Sequence, residues 1–120
     1  MTQEEKQLLL KDLCARFPYG VICKLSAKDA DVSITEKLEI GGLEHFISGT
    51  MDVKPYLRPM SSMTEEELNE LEDISCLTLY PNGTQIPNGK DYDWLNAHHF
   101  DYRGLIEKGL AIEAPEGMYD

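Results

Sequence analysis

Val21-Ile22-Cys23-Lys24-Leu25 and, after a polar break, Val32-Ser33-Ile34-Thr35-Glu36-Lys37-Leu38-Glu39-Ile40 decide the reading of the fold. The first run is apolar enough for a buried strand. In the second, Val32, Ile34, Leu38 and Ile40 alternate with Ser33, Thr35, Lys37 and Glu39, the period-two pattern of a strand with one face on a core. Gly41-Gly42 then reads as a tight turn and Leu43-Glu44-His45-Phe46-Ile47 as a third strand, which makes a short antiparallel meander the expected centre.

Toward the N-terminus, Thr2 and Glu5 have the spacing of a capping box, and Leu9, Leu10, Leu13 and Cys14 recur on one helical face. Pro18 ends that helix no later than Phe17, because it disfavours α geometry in the residue before it.

Toward the C-terminus, Pro55 and Pro59 remove ladder donors, so residues 53–60 are expected as an edge strand or extended connector. Thr64 and Glu67 form a second capping-box pattern, with Met63 placed to staple against Leu68, so a helix is expected from Glu65. Its stripe is Leu68, Leu71 and Ile74, and its three leading glutamates suit the positive end of the helix dipole. Cys76 to Tyr80 fits either a helix extension or a strand. Two Pro-Asn-Gly turns, at 81–83 and 87–89, favour strand, turn and a short returning strand.

Asp91 or Asp93 is placed to cap a short helix holding Trp94, Leu95 and His98, and Asp101 another from Tyr102 to Lys108, with Gly109 as a left-handed stop. Leu110 to Ile112 returns to extended structure, and residues 115–120 are expected to fray.

At 120 residues, 42% apolar and 28% charged, the chain has the size and composition of a single compact folded domain, residues 1–120. The fold class that follows is α+β: a small antiparallel sheet or partly closed small barrel of three to five strands, with three or four packed helices.

No apolar run is long enough to cross a bilayer, and the acidic start Met1-Thr2-Gln3-Glu4-Glu5 is unlike a secretory signal. Cys14, Cys23 and Cys76 are odd in number and flanked by apolar residues, as expected of buried thiols in a cytoplasmic protein.

Charge is the unusual bulk property. Residues 1–60 carry eight Lys or Arg against nine Asp or Glu, and residues 61–120 three against thirteen, so −10 of the net −11 lies in the second half. Such a field disfavours direct nucleic-acid binding and anionic membrane, and favours a basic protein partner.

The adjacent His98 and His99 point about 100° apart on a helix, and no third ligand stands at a zinc-like spacing, so neither metal nor cofactor is expected. Ser61, Ser62 and the thiols lack the local signature of an activated nucleophile. Tyr56 and Arg58, then His98, His99, Tyr102 and Arg103, are the candidate interaction surface, since Tyr and Arg are enriched at binding hot spots. Against that stands a structural reading: Arg58 answers the acids of Glu65 to Glu67, and one imidazole packs near Trp94.

Three stretches carry a resemblance: Lys11 to Val21, Lys54 to Glu67, and Asp93 to Gly117, the last centred on Trp94 to Leu110. In these the chain resembles uncharacterised short acidic proteins common in gut Bacteroides genomes and their phages or mobile elements. The resemblance implies a bacterial cytoplasm and a phage or mobile-element origin, and it brings no catalytic residue with it.

The function expected is therefore non-enzymatic protein-protein interaction. Two alternatives remain open: an acidic nucleic-acid mimic that occupies a basic host protein, and a small hydrolase or metal-dependent enzyme using the His98/His99 region.

Overall fold

A computed structural model describes residues 1–28, 31–74, 78–79, 85–86 and 89–119. Helix α1 spans Gln3–Arg16 and is closed at its start by the expected capping box: Glu5 N donates to Thr2 Oγ1 at 3.1 Å, and Thr2 N to Glu5 Oε1 at 2.9 Å. Its buried stripe is Leu9, Asp12, Leu13 and Arg16, not Leu9, Leu10, Leu13 and Cys14. Leu10 is half-buried and the Cys14 thiol is exposed, so only Cys23 is a buried thiol among the described cysteines. The helix is turned by an acid-base pair at i and i+4, which takes two of the four inward positions.

Strand β1, Ile22–Ala27, and β2, Ser33–Lys37, pair antiparallel with Leu25 opposite Ile34. The expected burial of the second strand fails: β2 is an edge exposed along its length, with Val32 at 60% and Ile34 at 49%. Of the alternating apolar residues only Leu38 enters the core.

The expected third strand is also corrected. Ile40–Ser48 forms helix α2, with Gly42 and Phe46 buried one turn apart and Gly49 at φ 75° closing its end. A short apolar run cannot by itself separate strand from helix. Here a Cβ on Gly42 would meet Leu38 Cδ1 at 3.1 Å, so the glycine serves close helix packing and not a hairpin turn.

Strand β3, Met51–Leu57, lies inside the sheet, antiparallel to β1 with Cys23 opposite Pro55. Pro55 is tolerated because the next strand flanks only Tyr56 and Leu57, so β3 is still an edge on that side at the proline. Helix α3, Glu65–Ile74, begins at its predicted capping box, each bond 3.1 Å long. Thr78–Leu79 and Gln85–Ile86, β4 and β5, pair antiparallel as the strand-turn-strand reading expects. Cys76 and the residues of both Pro-Asn-Gly turns, apart from Gly89, lie outside the described residues.

Helix α4, Gly89–Ala97, ends one residue short of His98. Among the described residues no regular helix follows Asp101. The expected helix cap at Asp101 is corrected: its carboxylate accepts from Leu105 N at 2.8 Å and Ile106 N at 3.0 Å, four and five residues on, and Gly104 at φ 72° breaks the path into turns.

Strand β6, Ile112–Glu113, joins β3 in parallel and completes the sheet order β2-β1-β3-β6. The protein is thus an α+β fold, with four α-helices, an open, mixed four-stranded sheet and a separate two-stranded ribbon among the described residues. The parallel strand replaces the expected all-antiparallel pattern, and the sheet does not close into a barrel.

Two apolar clusters lie side by side. The larger packs α1, α2 and residues 105–111 on the sheet through Leu9, Leu13, Val21, Leu25, Phe46 and Leu57. The smaller joins α3 to α4 through Trp94, Leu95 and Phe100, with Met63 and Leu71 against them. Residues 115–117 are exposed, and within the tail expected to fray Tyr119 reaches the sheet. The Tyr119 phenol accepts from Ile22 N at 2.9 Å and donates to Tyr56 O at 2.6 Å.

Candidate interaction site

The sequence places Tyr56 and Arg58 far from His98 to Arg103, and the fold joins them at one corner. Arg58 N donates to His99 O and Asp101 N to Arg58 O, both at 2.8 Å, so the end of β3 is zipped in parallel to Phe100. That zipper lies along the seam between the two apolar clusters, and the seam is polar.

Arg58 grips Glu67 with both terminal nitrogens at 2.7 Å, and its guanidinium lies 4.2 Å from the centre of the Phe100 ring. This fork holds the start of α3 against the seam and keeps the Glu67 carboxyl down at about 2, chiefly through the hydrogen bonds from Arg58.

Deeper in, Arg16 and Asp12 are both fully buried. Arg16 Nε donates to Asp12 Oδ2 at 2.9 Å, and its Nη2 donates to Phe100 O. Arg103 Nε takes the other carboxylate oxygen at 3.0 Å. One buried carboxylate therefore serves two guanidiniums, and this set carries a net positive charge inside an acidic protein. Arg103 Nη2 also donates to the Tyr102 hydroxyl, which in turn donates to Asn96 Oδ1.

The two histidines diverge. His98 lies against Trp94, ring centres 4.0 Å apart, with its Nε2 3.9 Å from Glu70 Oε1; Trp94 Nε1 donates to the same carboxylate oxygen. His99 sits past the end of α4 in the left-handed region, φ 62°, and stacks on Tyr119 at 3.9 Å. It is 7% exposed, and its Nδ1 has no partner among the described residues. Burial first, then the charges of Arg16, His98 and Arg58, pull its pKa down to about 4, so the ring is neutral at pH 7.

His45 is elsewhere, on α2, with Nδ1 2.8 Å from Thr50 Oγ1. Among the described residues no three His, Cys, Asp or Glu side chains converge to hold a metal. Burial pushes the Cys23 thiol up to about 12, so no thiolate is offered there.

Of the six sequence candidates, Arg58 and His99 are thus engaged inside the fold, Tyr56 is half-buried and lends its main-chain carbonyl to Tyr119, His98 lies at the α3–α4 edge, and Tyr102 and Arg103 line an open cleft. Asp12, Arg16 and Tyr119 were missed. The first two had a signal, an acid and an arginine at i and i+4 on the same face as Leu9 and Leu13; Tyr119, 97 residues from Ile22, had none.

No helix among the described residues is long and apolar enough to cross a membrane. The chain matches no protein-family profile, no curated protein and no solved structure.

Proposed function

We propose that the protein is a non-enzymatic binding protein that docks a basic surface of a partner protein through the exposed face of α3. The observation that supports this is the composition of that helix: Glu65, Glu66, Glu67, Glu70, Glu72 and Asp73, with no lysine or arginine in it. Of these only Glu67 is half-buried in a close ion pair, while Glu65, Glu66, Glu70, Glu72 and Asp73 are exposed. Leu68 stands among them at 46% exposure, an apolar contact inside an acidic rim. The helix is fixed rigidly for such a role by the Arg58 fork and by Leu71 against the Trp94 cluster.

Enzymatic readings draw less support. His98 and His99 face different neighbours, and neither is in a described contact with a serine or a thiol. The nucleic-acid mimic is the special case in which the basic surface is itself a nucleic-acid groove.

Photo-crosslinking from position 68 tests the proposal. The expected result is a crosslink to a protein with a basic surface, lost when Glu65, Glu66, Glu72 and Asp73 are changed to Gln or Asn and weakened steeply by salt. Competition by duplex DNA or RNA would single out the mimic. An intact crosslink in the neutralised variant, or substrate turnover that needs His98 or His99, would overturn the proposal.

A further inference from the structure

A cleft of about 500 Å³ opens beside the polar seam, lined by Lys11, Tyr92, Asn96, Tyr102 and Arg103. Among the described residues its lining carries two cations and no carboxylate, in a chain that has 22 acidic residues against 11 basic ones. Behind it, Asp12 is already shared between Arg103 and Arg16. Two guanidiniums and one carboxylate are thus fixed in the fold behind the cleft, a positive excess among the described residues.

Arg103 spends Nε on Asp12 and one Nη2 hydrogen on Tyr102, which leaves Nη1 without a hydrogen-bond partner among the described residues on a side chain that is 17% exposed. Arg16 Nη1, fully buried, likewise has no partner among the described residues. Two guanidiniums against one carboxylate in a low-dielectric seam is an arrangement that an added anion stabilises. Beside these groups the Tyr92 and Tyr102 rings meet at 5.2 Å and 48°, an open angle of two aromatic faces.

We propose that this cleft binds a small ligand carrying a phosphate group next to a flat ring. Lys11 and Arg103 take the phosphate, Lys11 as a mobile point charge and Arg103 as a fork held in place by Asp12. Tyr92 offers the ring a stacking face, and Asn96 closes the polar side. The site is independent of the acidic face of α3: it uses the opposite charge and different elements.

Phenyl phosphate is the minimal probe, with inorganic phosphate and phenol as its two halves. In titrations of the full chain followed by the Arg103 Nε–H and the 92–103 amide signals, phenyl phosphate is expected to saturate with a Kd of about 1 mM or tighter. Inorganic phosphate should bind about tenfold more weakly, for want of the stacked ring, and phenol should not bind. Lys11→Gln, at an exposed position, should weaken both phosphates, while Tyr92→Ala should reduce phenyl phosphate to the level of inorganic phosphate. The absence of a saturable shift with phenyl phosphate, equal affinity for the two phosphates, or affinities unchanged in both variants would each overturn the proposal.

Discussion

Asp12 accepts from Arg16 on one oxygen and Arg103 on the other, with its own side chain out of contact with water, so among the described residues its charge alone is paired with both guanidiniums. Replacing it by asparagine keeps the volume and removes the charge, which leaves Arg16 buried without a counter-ion. Asp12→Asn is expected to cost about 3–5 kcal/mol of unfolding free energy, and Arg103→Gln less, because Arg103 reaches water; urea unfolding of the two variants checks the order. His99 supplies a pH prediction. Its folded pKa, about 4, lies below the ordinary 6.5. Between those values the unfolded chain binds a proton that the folded one refuses, so stability is full above pH 6.5 and is lost as pH falls toward 4. His99→Asn, which tolerates the φ of 62°, should flatten that loss, read as a smaller difference in urea midpoint between pH 7 and pH 5 than the native chain shows. These residues also mark where sequence reading stops. The Asp12–Arg16 spacing was legible, whereas the burial of His99 depends on Tyr119, which only the tertiary fold brings to it.

Elements with a local cause were legible and those with a tertiary cause were not. Both capping boxes announced their helices, because the bonds run between residues three apart. Gly41-Gly42 misled because the same glycines serve a turn or a close helix contact, and only the position of Leu38 decides between them. The alternation at 32–40 announced a strand, Ser33–Lys37, but neither its end before α2 nor its exposure, since whether a face is covered depends on how far α1 and α2 extend over the sheet. The tail is the plainest case: nothing near Tyr119 signals that its hydroxyl joins β1 to β3. Tyr119→Phe removes that join and leaves the Ile22 amide and the Tyr56 carbonyl without it, an expected cost of about 1–3 kcal/mol. Hydrogen exchange locates the effect. The Ile22 amide should exchange faster in the variant, while amides of α3, held by the Arg58–Glu67 fork, stay protected; equal protection at Ile22 would show that the phenol carries no structural load.

At the scale of the whole molecule, charge is both the feature proposed to recruit a partner and a load on the fold. The second half of the chain holds −10 of the net −11, and most of the α3 carboxylates face solvent near one another. Compaction brings these like charges together, so folding works against their repulsion. Salt acts on this repulsion and on the attractive pairs in different degrees. The exposed Lys28–Asp52 pair, at 4.0 Å, contributes little in any salt, and the buried Asp12 set is poorly reached by counter-ions. The long-range repulsion is what screening removes, since the Debye length falls from about 30 Å at 0.01 M to about 3 Å at 1 M. The melting temperature is therefore expected to rise with sodium chloride, by about 4 °C for each kcal/mol of repulsion relieved, while binding through α3 weakens over the same range. Thermal unfolding from 10 mM to 500 mM salt separates the alternatives: a melting temperature that falls would mean that local ion pairs, and not the net field, dominate the electrostatics of this fold.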